Sequence, residues 1–216
     1  MKYFIIIKEH SSRVEHKNFQ TVAGLPLWKN LVYQLYGEDV YIDTDSASVY
    51  HEAKDFEWLT CYGRLSRHIE LEDDENFSVS PALLMIERFL DTYVEDENEV
   101  IVTPHVTSPF IKLSTIKKAA QKLEEGYDSV QACTEHQEFA YFEGEPINFN
   151  PDVVQKTQDL KPIYLGNGAF FIFTKKTFKQ NKNRTGKNPF FYPLSLPESI
   201  EIDTWEDLEL ARKWKK

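Results

Sequence analysis

Cysteine is nearly absent from this chain, since Cys61 and Cys133 are the only two in 216 residues. Two isolated thiols can form neither the cysteine cluster of a structural zinc site nor the disulfide framework of a small secreted domain. Both lie in apolar surroundings typical of strands. The sequence therefore predicts two reduced thiols in the core.

Long apolar runs are also missing. No stretch approaches the ~20 residues that a membrane-spanning helix needs. The N-terminal apolar run, Tyr3 to Ile7, enters a charged loop at once and lacks the features of a signal peptide. We therefore expect a cytoplasmic protein with no membrane partner. The net charge of -10 argues against a surface for nucleic acid, and the chain has no low-complexity segment or internal repeat.

The glycine-rich phosphate-binding motifs are absent too. The chain has neither a GK pair followed by Ser or Thr nor a GxGxxG loop, which disfavours P-loop ATPases and dehydrogenases of the dinucleotide-binding type. None of its six histidines is paired at metal-ligand spacing. His10, His16 and His105 are therefore candidates only as individual residues.

A cationic loop after the first strand is the strongest positive signal. The run from Phe4 to Ile7 lacks polar alternation, which predicts a central strand of a parallel sheet, and ligands bind at the carboxyl ends of such strands. The side chains that follow are Lys8, Ser11, Ser12, Arg13, Lys17 and Asn18. A local cationic site in an acidic protein indicates a polyphosphate ligand, and a solvated turn is the alternative.

Strands and helices alternate along most of the chain. This pattern predicts an α/β fold, a three-layer doubly wound and mostly parallel sheet, with residues 1–216 as a single domain. The predicted strands are Tyr3 to Ile7, Val40 to Ile42, Trp58 to Tyr62, Val100 to Val102, Ser129 to Cys133, Gly168 to Phe173 and Glu198 to Ile202. The predicted helices are Leu27 to Tyr36, Pro81 to Val94, Leu113 to Glu125 and Asp203 to Trp214.

One segment departs from this alternation. Phe139 to Phe142 and Pro146 to Phe149 flank Glu143, Gly144 and Glu145, which predicts a hairpin. Within residues 134–165 it is a candidate insertion, either a small dimerisation arm or a lid. An ordinary edge hairpin covering the site is an equally open alternative.

An acidic pair near the C-terminus is a candidate metal site. Glu201 and Asp203 alternate along a predicted strand, so both side chains would lie on one face, where two carboxylates could hold Mg²⁺. The alternative is that Asp203 caps the last helix with Glu206 as its capping-box partner.

Three further segments are candidates for ligand contacts, each with a plain structural alternative. Thr107 and Ser108 could donate to a sugar or a carboxylate, or could only begin a helix. Leu165 to Phe173 combines glycines with aromatic residues and could face a ligand or pack in the core. The basic run Lys175 to Lys187 has six positive charges and no acid, which is more typical of a solvated face than of a ligand site.

Seven short motifs occur in one order along nearly the whole chain. They comprise Lys8, Ser11, Lys17 and Asn18; Gly24, Pro26 and Leu27; Thr44, Asp45 and Ser46; Arg67, Glu70 and Leu71; Thr107, Ser108 and Pro109; Asn167, Gly168 and Ala169; and Glu201, Ile202, Asp203, Thr204, Glu206 and Asp207. In this order they resemble the acylneuraminate cytidylyltransferase family, the CMP-sialic acid type.

The resemblance implies a nucleotide-diphospho-sugar transferase-like fold and a homodimeric nucleotidyltransferase. It would transfer CMP from CTP to the anomeric hydroxyl of a sialic-acid-like 2-keto-3-deoxy sugar acid, releasing pyrophosphate, with Mg²⁺ as cofactor. Implied nucleotide contacts are Lys8, Ser11, Arg13, Lys17, Asn18, Arg67, Ser78 and Ser80. Implied sugar contacts are His105, Thr107, Ser108, Asn167 and Phe170. Lys17 and Asp203 would be catalytic, and Glu201 with Asp203 would bind the metal.

The chain also departs from the family pattern. Arg13 and Glu15 replace a glycine and a proline, His105 replaces a glutamine, Leu165 replaces an arginine and Glu201 replaces an aspartate. In the family, the positions of His105 and Leu165 lie on the sugar side. The acceptor therefore need not be N-acetylneuraminate. A noncatalytic sugar-nucleotide binding protein of the same fold is the main alternative. A GT-A-like glycosyltransferase is disfavoured, because Asp43 and Asp45 are the only near match to its DxD motif.

Overall fold

The computed structural model describes residues 1–74, 77–153 and 155–214. Its strands in chain order are β1 (Lys2–Ile7), β2 (Thr21–Val22), β3 (Leu25–Pro26), β4 (Asp39–Thr44), β5 (Leu59–Gly63), β6 (Val100–Pro104), β7 (Ser129–His136), β8 (Tyr141–Phe142), β9 (Glu145–Pro146), β10 (Ile163–Thr174) and β11 (Pro189–Pro193). Its α-helices are α1 (Leu27–Gln34), α2 (Ala47–Ala53), α3 (Ser66–Asp73), α4 (Pro81–Tyr93), α5 (Leu113–Ala120), α6 (Lys175–Asn181) and α7 (Trp205–Lys213). Short 3-10 turns lie at Lys17–Phe19, Gln121–Glu125 and Thr157–Asp159.

In these residues a seven-stranded sheet has the order β11-β7-β10-β6-β1-β4-β5. The neighbours β6, β1, β4 and β5 pair in parallel, and so do β7 and β11, whereas β10 is antiparallel to both β6 and β7. The predicted mostly parallel α/β sheet is therefore confirmed, with β10 as its one reversed strand among those described.

Two apolar layers cover the sheet. On one face, Tyr3, Ile5 and Ile7 of β1 pack with residues of α1, α2 and α5. On the other face, Phe4 packs with residues of α4 and α6, and its ring stacks on Phe89 at 4.6 Å. Burial on both faces is the reason why the β1 sequence lacks polar alternation, as the sequence predicted.

A third apolar cluster joins the two ends of the chain. Val14 from the loop after β1 packs with Ile202 and with Leu208 and Ala211 of α7. This packing brings the cationic loop and the C-terminal acidic segment to the same place. Burial of these side chains is the main stabilising contribution available to an otherwise polar loop.

The boundaries of most predicted elements hold, but one predicted strand and one predicted helix differ, and helices α2, α3 and α6 and strands β2 and β3 were not predicted. Glu198–Ile202 is not a strand, because Ile200 and Ile202 pack into the third cluster rather than joining the sheet. The strand Pro189–Pro193 was not predicted. The predicted helix from Leu113 continues past Ala120 only as a 3-10 turn, which ends at Gly126 with φ of 96°.

The hairpin in residues 134–165 is present but short, with Tyr141 opposite Pro146 and Phe142 opposite Glu145. Whether residues 134–165 act as a dimerisation or lid insertion, and whether residues 1–216 form a single domain, stay predictions. No helix in the part of the chain described here has both the length and the apolar character to cross a membrane.

Candidate functional site

The loop after β1 is held by its own polar groups. The Ser11 hydroxyl donates to the Val14 carbonyl and accepts from the Lys17 amide at 3.3 Å. The Asn18 side chain donates to the Lys8 carbonyl at 2.9 Å. Ser11 and Asn18 therefore shape this loop, which we call the cationic loop (residues 8–18), while its charged side chains stay available for other contacts.

Two cations of this loop converge on one carboxylate. The Lys17 Nζ lies 2.9 Å from Asp203 Oδ1 and also donates to the Ile202 carbonyl at 3.1 Å. The Arg13 Nη2 lies 2.8 Å from the same Asp203 oxygen. Docking of Val14 beside Ile202 makes this arrangement possible. The structure thus joins the predicted cationic loop to the predicted acidic pair.

Asp203 does not cap the last helix. The N-cap of α7 is Thr204, whose hydroxyl accepts from the Asp207 amide at 3.2 Å, and the Asp207 carboxylate accepts in return from the Thr204 amide at 2.8 Å. Asp207 also accepts from the Asp203 amide at 3.1 Å. The capping alternative for Asp203 and Glu206 is therefore wrong, and Asp207 holds the backbone of Asp203 in place.

Glu201 reaches the site from irregular backbone rather than from a strand face. Its Oε2 accepts from the Gly168 amide at 2.8 Å. Burial, together with the nearby Asp203 charge, raises the pKa of Glu201, and the hydrogen bond from Gly168 only partly offsets this. A side chain at position 168 would collide with Glu201 Oε1, because an added Cβ would lie 2.2 Å from it.

The donor set at this place fits Mg²⁺. Glu201 Oε1 and Asp203 Oδ2 have no hydrogen-bond partner in the described residues, and carboxylate oxygens are the ligands that Mg²⁺ prefers. No group of three or more His, Cys, Asp or Glu side chains suited to a metal occurs in those residues. A metal here would therefore take its remaining ligands from water and phosphate, as Mg²⁺ commonly does.

An irregularity in β10 shapes the side of the site next to Glu201. The pairing of β10 with β7 is regular up to Gly166 and shifts register before Phe171. In between, the Asn167 side chain donates to the Ser199 carbonyl at 3.0 Å and accepts from the Ala169 amide at 2.8 Å. Asn167 therefore ties this bulge to the segment that carries Glu201.

His105 and Arg184 lie on the same side of the site as this part of β10. The His105 amide donates to the Ala169 carbonyl at 3.1 Å, and an added Cβ on Gly168 would lie 2.8 Å from His105 Nδ1. Arg184 Nη1 lies 3.4 Å from His105 Nε2, and its guanidinium carbon lies 3.6 Å from the Phe171 ring centre. Burial and the Arg184 charge lower the pKa of His105 to about 3, so the ring is neutral near pH 7.

Two predicted sugar contacts are buried side chains. Phe170 is fully buried in the apolar layer on one face of the sheet, because alternation along β10 turns it away from the site. Phe171 lies on the other face and contacts Arg184. Ser108 is also fully buried, and its hydroxyl has no hydrogen-bond partner in the described residues, so its contact with a sugar stays a prediction. Thr107 is half-buried, and its carbonyl accepts from the Ile202 amide at 2.8 Å.

The other predicted nucleotide contacts lie at or near α3 and α4. Lys8 pairs with Glu72 of α3 at 3.0 Å. Arg67 is exposed and lines a surface depression between α3 and α4. Ser78 and Ser80 are exposed on the segment leading into α4, and Ser80 is its N-cap residue without a side-chain cap. Their contacts with a nucleotide stay predictions.

Arg64, rather than Arg67, lies at the carboxyl end of the central strands. Its side chain and that of Asp43 are both fully buried, with Nε 2.7 Å from Oδ1, and Nη2 donates to the Ile7 carbonyl at 3.1 Å. Asp45 accepts from the Glu9 amide at 2.8 Å. The Thr44-Asp45-Ser46 motif thus fixes the start of the cationic loop, and Ser46 caps α2.

Sequence reasoning missed Arg64 and Arg184 as site residues. Arg64 lies two residues after the predicted strand that ends at Tyr62, so its position near a strand end was a usable signal. Arg184 is one of six cations in the basic run, and composition does not show which of them turns inward.

The fold matches those of solved structures. CMP:2-keto-3-deoxy-manno-octonic acid synthetase, solved in complex with CTP, superposes with a TM-score of 0.64 at 13% identity, covering 97% of this chain and 95% of that chain. The 4-diphosphocytidyl-2C-methyl-D-erythritol synthase of Anaerococcus prevotii also gives 0.64 at 11% identity, covering 98% and 94% of the two chains. At these identities the likeness shows the fold alone.

Sequence comparison gives the family. N-acylneuraminate cytidylyltransferase of Streptococcus agalactiae serotype V is 29% identical over 182 residues, covering 79% of this chain and 41% of that protein. The chain spans less than half the length of the curated relatives it matches. The family model described as Cytidylyltransferase matches residues 5–213, so this chain belongs to the cytidylyltransferase family.

Proposed function

We propose that this protein transfers CMP from CTP to the anomeric hydroxyl of a 2-keto-3-deoxy sugar acid and releases pyrophosphate. The observation that carries this proposal is the meeting of Arg13 and Lys17 with Asp203 at 2.8 and 2.9 Å, next to Glu201. Cations for a triphosphate and carboxylates for its metal ion thus lie in one place. The names of the relatives support cytidylyl transfer to a sugar acid.

The proposed reaction needs positioning and charge neutralisation more than covalent help from the protein. The acceptor hydroxyl oxygen forms a bond to the α-phosphorus while the bond from that phosphorus to the departing pyrophosphate breaks. Lys17 and Arg13 would neutralise the charge that develops on the phosphates. The rigid hydrogen bonds of Ser11 and Asn18 would keep these two cations in place.

Mg²⁺ is the proposed cofactor, held by Glu201 and Asp203. When bound it would offset the negative charge of the phosphates. Burial and, to a smaller extent, the Asp203 charge raise the pKa of Glu201, which supports this assignment because a divalent cation would lower the cost of a buried carboxylate beside a second one.

A homodimer through residues 134–165 is also proposed. The hairpin exposes Tyr141 and Phe142, which are 63% and 66% exposed, and Ile147 is 56% exposed. A cluster of exposed apolar side chains of this kind commonly marks an interface between proteins.

The reaction is tested by measuring pyrophosphate release with each of the four nucleoside triphosphates against sialic, legionaminic, pseudaminic and octulosonic acids. We expect release only with CTP, with Mg²⁺ and with at least one acid. CTP binding without release for any acid would favour the noncatalytic sugar-nucleotide binding protein. Release with a different nucleotide would contradict the proposed substrate class.

A further inference from the structure

Arg184 differs from the other cations near the proposed reaction site. Arg13 and Lys17 both pair with Asp203, and Lys8 pairs with Glu72. Arg184 has no ion pair within 4.0 Å in the described residues, and its one hydrogen-bonding contact there is with His105. Its charge is therefore not used by a protein carboxylate.

The guanidinium is nevertheless held in a fixed orientation. Its central carbon lies over the Phe171 ring, 3.6 Å from the ring centre, and its Nη1 lies 3.4 Å from His105 Nε2, so two contacts restrict its orientation. A neutral His105 offers a lone pair at Nε2, so Arg184 donates and the imidazole accepts. Stacking and one edge contact leave other N–H groups of the fork unpaired.

These unpaired N–H groups are accessible. No Arg184 nitrogen is among the buried polar atoms without a hydrogen-bond partner in the described residues, and the side chain as a whole is half-buried. An arginine that is oriented, charged and incompletely paired is suited to bidentate binding of a carboxylate.

Hydrogen bonds to Asp128 and Ser129 hold the turn that carries Arg184. The Asp128 carboxylate accepts from the backbone amides of Lys187 and Asn188 at 2.6 and 3.0 Å, and the Gly186 amide donates to Ser129 at 2.9 Å. A Cβ at Gly186 would lie 2.1 Å from an Asp128 oxygen, so this close approach requires glycine. Asp128 is therefore a positioning residue for Arg184.

Arg184 lies beside the reacting centre rather than on a remote surface. It contacts His105, whose ring lies next to Gly168, and Gly168 donates to Glu201. The Glu201 charge also acts on Arg184. An acid bound at Arg184 would therefore lie close to the proposed metal ligands and to the triphosphate.

We propose that Arg184 binds the carboxylate of the acceptor and so makes this site select sugar acids over neutral sugars. This inference rests on the proposed function, because it assigns a residue to the acceptor of that reaction. The Phe171 ring and His105 would act as positioning residues for the guanidinium.

The test compares an acid acceptor with its methyl ester at saturating CTP, using N-acetylneuraminic acid or 2-keto-3-deoxy-manno-octonic acid, whichever is turned over. In the wild type we expect a clear preference for the acid. Arg184→Gln should raise the KM for the acid roughly 10- to 100-fold. The KM for the ester should change little, so the preference collapses. Arg184→Lys should restore part of it, because it keeps the charge but loses the planar fork.

Lys187→Gln serves as the matched control, because Lys187 is an exposed cation of the same turn. It should behave as the wild type. The proposal is overturned if Arg184→Gln keeps the acid preference, or if it weakens acid and ester equally, which would indicate a structural role. If Arg184→Gln does not fold, Arg184→Lys decides, and an unchanged preference for the acid with an unchanged acid KM in that variant overturns the proposal.

Binding measurements separate an incorrect proposed reaction from an incorrect role of Arg184. CTP binding is measured by calorimetry for each variant and should be unchanged by Arg184→Gln. If the wild type turns over neither acid, the same two proteins are titrated with N-acetylneuraminic acid. Tighter binding to the wild type then supports the Arg184 site, whereas equal or undetectable binding overturns it.

Discussion

Lys17 and Asp203 form a 2.9 Å ion pair although 186 positions separate them in the chain. The pair exists because Val14 and Ile202 are packed in one apolar cluster beneath it. The cationic loop and the segment that leads into α7 therefore form a single structural unit. A substitution in one of them should alter the position of the other.

Lys17→Ala should weaken CTP binding roughly 10-fold or more, because it removes one charge-assisted contact to the triphosphate. The protein should stay folded, since the apolar cluster around Val14 is untouched. Calorimetry with CTP measures the affinity. Lys118→Ala, which removes an exposed cation on α5, is the control. Equal CTP affinity in wild type and Lys17→Ala would remove the cationic loop from the nucleotide site.

Asp203→Asn should reduce turnover strongly while changing the melting temperature little, because the helix cap belongs to Thr204 and Asp207. Asp207→Ala should instead lower the melting temperature, since loss of the capping carboxylate costs ~1 kcal/mol, or about 2–4 °C in a chain of this size. Thermal melts and pyrophosphate release at several Mg²⁺ concentrations separate the two. An active Asp203→Asn protein at low Mg²⁺ would argue against metal binding by Asp203.

Arg64→Ala should be strongly destabilising, by about 3–5 kcal/mol, because it leaves the buried Asp43 charge without its hydrogen-bonded partner. Arg67→Ala, three positions away on an exposed face, should change stability little. Urea unfolding measures both. A CTP affinity reduced in folded Arg67→Ala would support its predicted place near the cytosine, whereas a mild effect of Arg64→Ala on stability would contradict the structural role of the buried pair.

The two cysteines should react slowly with alkylating reagents in the folded protein. Burial raises the pKa of both Cys61 and Cys133 to about 11, which lowers the thiolate fraction at pH 8 roughly 100-fold relative to an ordinary thiol. Because a raised thiol pKa favours the protonated form, reactivity should increase as pH rises toward that value. Mass spectrometry after timed iodoacetamide treatment measures this. Rapid labelling of native protein at pH 8 would contradict it, and urea-unfolded protein is the positive control.

A Tyr141→Ser and Phe142→Ser double variant should be monomeric at concentrations where the wild type is a dimer, since it removes two of the most exposed aromatic side chains of the hairpin. Sedimentation velocity measures the state of assembly. Tyr36→Ser, at an aromatic residue 73% exposed elsewhere on the surface, is the control and should leave the state unchanged. A monomeric wild type at micromolar concentration would exclude this dimer.

Patterns that depend on burial were predictable from the sequence. The unbroken apolar run of β1 indicated a strand covered on both faces, and the structure confirms it. The segment around Ile200 and Ile202 shows the limit of such patterns, because apolar alternation suits a strand and also suits an irregular segment packed on a helix. The strand Pro189–Pro193 was missed because proline at both ends argues against a central strand, whereas β11 is an edge strand.

The site was predictable where charge clusters were local in sequence and less so where geometry decides. The cationic loop was evident from Lys8 to Asn18. The shift of the cap from Asp203 to Thr204 could not be read from spacing, because both residues are good caps and an acidic residue follows each at capping-box distance. The faces of Phe170 and Phe171 could not be read from the sequence either, since the residue types do not reveal the register shift between Gly166 and Phe171 that precedes the regular alternation.

That register shift also gives the site a built-in spectroscopic reporter. The Gly168 amide donates to Glu201 rather than to a neighbouring strand, so its proton chemical shift and its exchange with solvent depend directly on the position of that carboxylate. The chain has eight glycines, and their amide signals occupy a separate region of a two-dimensional NMR spectrum. One resonance could therefore follow metal and nucleotide binding at Glu201 during a titration, without any label attached to the protein's side chains.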